Sequence, residues 1–351
     1  MNKVSVFMKK SLTHRLFWPL VCLVVVLLIN LFFTPTFFKV SINNGILYGY
    51  VVDIINRSSE LIILAVGMSL CVASSAGTDI SVGAVMAVGG AVTCYLLGSG
   101  DTYQMPYGVA ILCGVLASIV CGIWNGFLVA KLRIQPMVAT LILFTAGRGV
   151  AQLITGGNIL YIDVDSFRYL GNVIPGIPVP TPIFIAIIVV IITSLILKKT
   201  ALGLYIQSVG INAKASRLLG LNSTFIIFLT YAFCGLCAGI AGMIATSRIY
   251  SIDANNVGLN MEMDAILAVA LGGNSLGGGK FSLAGSVIGA ITIQALSTSL
   301  YAMGVSADQL PVYKAVVILV IVVLQSSELK TIWMHMMKKR TAHVAGEKVT
   351  L

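Results

Sequence analysis

Apolar residues gather along this chain in long runs, and polar residues fall in short links between them. The runs are residues 17–33, 61–74, 80–97, 107–130, 137–155, 182–197, 224–246, 265–271, 281–301 and 312–325. A helix needs about 20 apolar residues to cross a bilayer. The second and eighth runs fall short, and their polar flanks, 51–60 and 255–264, are the segments that would extend them. The pattern predicts an all-α, polytopic transmembrane helical bundle of about ten spans with broken helices. A β-barrel would alternate in short segments instead. The first run follows a basic stretch. A signal peptide would have a shorter core and a small-residue cleavage site, so this run is read as a span that stays in place.

Composition agrees. The chain is 58% hydrophobic and 10% charged, where a soluble domain carries about 25% charged residues. The net charge of +10 is not a nucleic-acid footprint, because the basic residues sit at the chain ends and in short links. The clusters are Lys3, Lys9, Lys10 and Arg15, then Lys131 and Arg133, then Lys198, Lys199, Lys214 and Arg217, and finally Lys330, Lys338, Lys339 and Arg340, which together hold 14 of the 22 Lys and Arg. With the N-terminus inside, the basic links at 131–135 and 198–221 and the C-terminal tail also fall inside. The links at 42–50, 156–180 and 250–260 carry few or no Lys and Arg. This positive-inside pattern puts both termini in the cytoplasm. It divides the chain into a cytoplasmic tail (1–16), a membrane domain (17–327) with a cytoplasmic link at 198–222, and a basic cytoplasmic tail (328–351).

Two polar breaks interrupt the apolar runs. The first is Gly77-Thr78-Asp79-Ile80-Ser81-Val82-Gly83, and Asp79 is the one charged residue between Glu60 and Asp101. An unpaired carboxylate at the bilayer centre costs roughly 2.5–3.5 kcal/mol. Asp79 therefore either caps the following helix, as Asp does well, or lines a pathway or gate. The second break, Gly272-Gly273-Asn274-Ser275-Leu276-Gly277-Gly278-Gly279-Lys280, follows Leu267-Ala268-Val269 as the first follows Leu64-Ala65-Val66. Broken helices repeated in two halves point to a transport pathway. A phosphate-binding loop would need Gly at position 274 and Ser or Thr at 281, where Asn and Phe stand. The chain is expected neither to bind nor to hydrolyse ATP.

The seven cysteines fall inside apolar runs and make no disulfide framework. Cys234-Gly-Leu-Cys237 matches a redox motif in letters only. His14, His335 and His343 lie near the termini, so no metal site is expected. Small residues four apart, Gly235/Gly239 and Gly285/Gly289, predict close helix packing. Arg148 either snorkels to the headgroups or takes a carboxylate or carbonyl partner inside the bundle. Glu262 and Asp264 read either as interfacial acids at the outer end of a short span or as contacts to a binding protein or the pathway mouth. In the link at 198–221, Asn212 can cap a short helix through Ala213, Ala215, Leu218 and Leu219, ended by Gly220. Lys214 and Arg217 share its other face. Such a helix either rests on the membrane surface or docks into a partner.

Three of these stretches together resemble the permease subunits of ribose-type ABC sugar importers: residues 77–83, the break at 272–280, and Thr200-Ala201-Leu202-Gly203 leading to Val209-Gly210-Ile211-Asn212-Ala213-Lys214-Ala215. The likeness runs from about residue 17 to 325. Within that family, Ile134-Gln135-Pro136-Met137-Val138-Ala139-Thr140-Leu141, residues 146–155 and Asp253-Ala254-Asn255-Asn256 resemble permeases of the galactofuranose importer. Lys280 stands where the family more usually has Arg. The resemblance implies a multi-pass protein of the bacterial inner membrane. It implies a monosaccharide delivered by a periplasmic sugar-binding protein, and a separate ABC ATPase that holds the ATP and Mg. It also implies a second permease, a paralogue forming a heterodimer. The segment with Gly210, Asn212, Ala213, Ala215, Leu218 and Gly220 matches the element that docks on the ATPase. Asp79, Asn274, Arg148 and Gln152 are the candidate pathway residues. Gly77, Thr78, Asp79, Ser81, Gly83, Gly272 and Gly273 are the structural motif. No cofactor is expected in this chain. A secondary sugar transporter is the alternative, and would want coupling-ion groups in its spans, for which Asp79, Arg148 and Asp264 are the candidates. An enzyme would need paired carboxylates or a nucleophile with its base, and the sequence offers neither.

Overall fold

The structure, a computed structural model, describes residues 16–34, 36–43, 45–98 and 105–325. Residues 1–15 and 326–351, which hold the basic tails, lie outside them. The described chain runs α1 (Phe17–Phe33), β1 (Ser41–Asn43), β2 (Ile46–Tyr48), α2 (Tyr50–Ser75), α3 (Val82–Leu97), α4 (Tyr107–Ala130), α5 (Pro136–Thr155), β3 (Leu160–Tyr161), α6 (Asp165–Gly171), α7 (Thr181–Lys199), α8 (Leu202–Ile211), α9 (Ala213–Leu218), α10 (Ser223–Ile249), β4 (Ser251–Ile252), α11 (Met261–Leu271), α12 (Leu283–Ala302) and α13 (Leu310–Gln325). Six helices, α2, α4, α5, α7, α10 and α12, are long and apolar enough to cross a membrane; α1, α3, α8 and α13 hold shorter apolar stretches. The protein is a multi-pass α-helical membrane protein.

The apolar runs mark the helices closely, and those at 17–33 and 107–130 coincide with α1 and α4. The run at 61–74 is extended by its flank at 51–60, as expected, into one 26-residue helix that begins at Tyr50. One expectation needs correction. The link at 198–222 holds two helices, α8 and α9, where the sequence pattern suggested one. Ile206 and Val209 of α8 are buried beside Leu70, Ala73 and Ile226, so α8 is part of the bundle's packing.

The chain divides into two compact units, residues 1–298 and 299–351. In the first, α10 packs on α2, α3 and α4, and α2 is also covered by α7, α8 and α11. Small residues allow the contact. A side chain at Gly122 would meet the Gly235 backbone at 3.0 Å, and one at Gly239 would meet Ser118 Cβ at 2.8 Å. Gly285 and Gly289 leave equally little room against Gly272 and the Ala268 carbonyl. The predicted close-packing positions are thus used. The buried pair Glu60–Arg248, 2.9 Å apart, ties α2 to α10.

The links sort onto two sides. β1 and β2 form a hairpin, and the Leu47 amide donates to the Pro178 carbonyl at 3.3 Å. β3 pairs with β4, Leu160 opposite Ile252. The three links poor in Lys and Arg therefore meet on one side, called here the strand-bearing side. On the other, Gly77 packs on Pro136 and Gly210 on Ala73 and Gly279, which gathers the basic links with both breaks. In the second unit, a turn at Gly304 (φ +85°) leads into α13, which exposes Val312, Val316, Leu319 and Val320.

Candidate functional site

The chain just after α2 lies beside Pro136, on the side of the basic links. Ala76 takes a left-handed conformation (φ 51°) that ends the helix, and the chain turns back along it. The Asp79 amide faces Met68 Sδ at 3.4 Å, seven residues before the end of α2 and so about 10 Å back along its axis. Asp79 is 2% exposed. Its Oδ1 accepts from the Ser81 amide at 2.9 Å, from Ser81 Oγ at 2.6 Å and from Asn125 Nδ2 of α4 at 3.4 Å. Asn125 Nδ2 also donates to Ser81 Oγ at 2.8 Å. The capping expectation is corrected here. The helix starts at Val82 with Ser81 in the cap position. Asp79 closes a tight turn one step earlier, the local side-chain-to-backbone bond that competes with capping. Thr140 of α5 holds the same turn, accepting from the Ile80 amide at 3.1 Å.

The second break repeats this chemistry. Asn274 is buried; its Oδ1 accepts from the Ser282 amide at 2.6 Å, and its Nδ2 donates to Ser286 Oγ at 2.8 Å. Gly272 brings α11 against α12 at Gly285, and Gly273 needs its positive φ of 76° to turn the chain. Gly278 and Gly279, also at positive φ, carry the break over the end of α2, where the Gly279 amide donates to the Ala73 carbonyl at 2.9 Å.

Arg148 is in the middle of α5. It neither snorkels nor pairs directly with an acid. Its Nη1 donates to the carbonyls of Ala254 (3.0 Å) and Val257. Gln152, one turn on, donates to Asn255 Oδ1. Glu262 is not an exposed interfacial acid: it is 2% exposed. A side chain at Gly83 would overlap its Oε2 and the Gly258 carbonyl, which explains the glycine. Asp264 is half-buried. Gln294 bonds Thr298 Oγ1 at 3.3 Å within its own helix. Sequence reasoning missed the Glu60–Arg248 pair, whose members stand 188 residues apart.

Asn212 caps α9 as expected, accepting from the Ala215 amide at 2.9 Å. Gly220 ends the segment at φ +83°. Ser216 faces inward, Ala213 is half-buried and Ala215 is exposed. Leu218 and Leu219 are 90% and 83% exposed. Of the expected apolar face, Ala215, Leu218 and Leu219 are uncovered, whereas Ala213 packs on the cluster around Ile206 and Val209. None of the seven cysteines is in a disulfide. Ligand atoms of Cys71, Asp79 and Cys234 lie within 4.8 Å of one another, a set that could hold a metal. Cys71 and Asp79 already have protein partners, the thiol donating to the Thr230 carbonyl at 3.3 Å.

Two polar breaks folded into the core of a multi-span bundle make the architecture of a membrane permease. The chain belongs to the family described as branched-chain amino acid transport system / permease component, whose profile matches residues 50–325. It is 44% identical over 320 residues to the galactofuranose transporter permease protein YtfT of Escherichia coli K12, covering 89% of this chain and 92% of that one. It is 38% identical over 354 residues to the fructose import permease protein FruF of Bifidobacterium longum, covering 98% and 96%. It is 36% identical over 313 residues to the ribose import permease protein RbsC of E. coli K12, covering 88% and 93%.

Proposed function

We propose that this chain is the membrane subunit of an ATP-driven importer that carries a monosaccharide, galactofuranose in the first place, across the bacterial inner membrane. It works with an ABC ATPase, a periplasmic sugar-binding protein and a second, paralogous permease. It performs no chemistry itself, and ATP with Mg is held by the partner. The carrying observation is α9. A helix capped by Asn212 presents Leu218 and Leu219 to solvent on the side where both breaks lie. An apolar end uncovered on a basic loop calls for a partner, and a permease without a nucleotide site must receive its stroke through such a contact. The likeness to three sugar-import permeases supports the substrate class. Affinity purification of the tagged chain from its native membrane tests the assembly. The ATPase and a different permease should come with it in fixed stoichiometry; recovery of this chain alone, in mild detergent and with native lipid, would speak for a self-sufficient carrier.

A further inference from the structure

The link between α10 and α11 enters the bundle. α11 has 11 residues, about 16 Å of helix against a hydrocarbon core of about 30 Å. It cannot cross alone. The preceding segment makes up the difference from the strand-bearing side. Ile252, Ala254 and Val257 are buried. Asp253 closes a turn by accepting from the Asn255 amide at 2.9 Å. Gly258 (φ +69°) comes against the Gly83 backbone, 2.6 Å from its carbonyl oxygen if it bore a side chain. Gly83 is four residues beyond Asp79, so the loop reaches the first turn of α3 just past the first break. Irregular backbone at membrane depth is tolerated where protein buries it or where it lines a cavity.

Arg148 holds this loop from α5. It lies twelve residues past Pro136, about 18 Å along the helix, near mid-membrane. It binds two loop carbonyls, and Gln152 binds the Asn255 side chain. A guanidinium spent on backbone carbonyls fixes the path of a loop without regard to its side chains. The closed arrangement leaves Arg148 Nη2 and Glu262 Oε2 buried without hydrogen-bond partners among the described residues. Such groups weigh against the state that strands them, so the closed loop is held below its full bonding capacity.

We propose that residues 253–260 are a movable plug that closes the pathway on the strand-bearing side, with Arg148 as its latch. The proposal rests on the permease reading above, and its test separates from it. Ala254→Cys leaves the latched carbonyl in place. In the assembled transporter in vesicles, a membrane-impermeant maleimide labels the thiol introduced at position 254, and peptide mass spectrometry reads the labelling. Labelling should be slow in the Ala254→Cys background and at least tenfold faster after Arg148→Gln is added. It should rise severalfold without that change when binding protein, sugar and ATP are supplied. Leu153→Ala, on the exposed face of the same helix, should change nothing. Where Arg148→Gln fails to assemble, Gln152→Ala removes the second tie and should give a smaller acceleration. Equal labelling with and without the latch in an intact complex, or with and without turnover, overturns the plug. The latch comparison needs no ATP, whereas a failure of the permease reading would show as absent ATP-dependent uptake in the same vesicles.

Discussion

Asp79 and Asn274 play matching parts in the two breaks. Each is buried, each lies just past the end of a helix, and each accepts a hydrogen bond from the amide of the serine that leads into the next helix, at 2.9 Å for Ser81 and 2.6 Å for Ser282. Asp79 closes a turn on the residue two further on, whereas Asn274 reaches across eight residues; one break uses an acid and the other an amide as the acceptor. The shared requirement is therefore the acceptor oxygen and not the charge.

A substitution series at Asp79 follows. Asp79→Asn keeps an acceptor for Ser81 and should retain at least half of wild-type uptake, with thermal stability close to normal. Asp79→Leu takes the acceptor from the Ser81 amide and hydroxyl, at about 1–3 kcal/mol for each unmade bond, and should lower both stability and uptake severely. Equal damage from Asn and Leu, in uptake normalised to membrane-inserted protein, would show that the charge itself matters.

Glu60 and Arg248 are an inter-helix tie with little solvent at either end, their side chains 14% and 16% exposed. Removing one partner of a buried pair costs about 3–5 kcal/mol. Arg248→Met should destabilise strongly, and Glu60→Gln with Arg248→Met should recover most of the loss, because no buried charge is left alone. Melting curves of the wild type, the single and the double variant in detergent check this; a double variant no better than the single would remove the pair from the account of stability.

The sequence was readable where one helix decides its own structure. Apolar length marked α1 and α4 to the residue, and Asn212 with Gly220 framed α9, because cap and stop chemistry is local. It was less readable where two local solutions compete: Asp79 and Ser81 are both good caps, and the tertiary bonds from Asn125 and Thr140 decide the turn. α8 was hidden because Gly203 and Gln207 break its apolar pattern and Lys198-Lys199 read as the start of a polar link. The partners of Arg148, Glu60 and Glu262 depend on helix rotation and on which helices meet, and single-chain periodicity carries neither.

The face of α9 separates two roles. If it docks on an ATPase, Ala215→Asp, which puts an acid beside Leu218 and Leu219, should weaken ATPase retention at least fivefold in pull-downs, with normal membrane insertion. If it rests on anionic lipid, Lys214→Gln with Arg217→Gln should do more harm than Ala215→Asp. Asn212→Ala, costing about 1 kcal/mol of cap stability, should fall between wild type and Ala215→Asp only under the docking account.

In the proposed function, ATP hydrolysis by a partner drives sugar through this chain. The direct measurement is accumulation of labelled galactofuranose by proteoliposomes containing the purified complex and its binding protein, with ATP on the ATPase side. Uptake against the gradient that stops with vanadate and ignores a protonophore is expected. Uptake by this chain without the ATPase, insensitive to vanadate and collapsed by an ionophore, would contradict it.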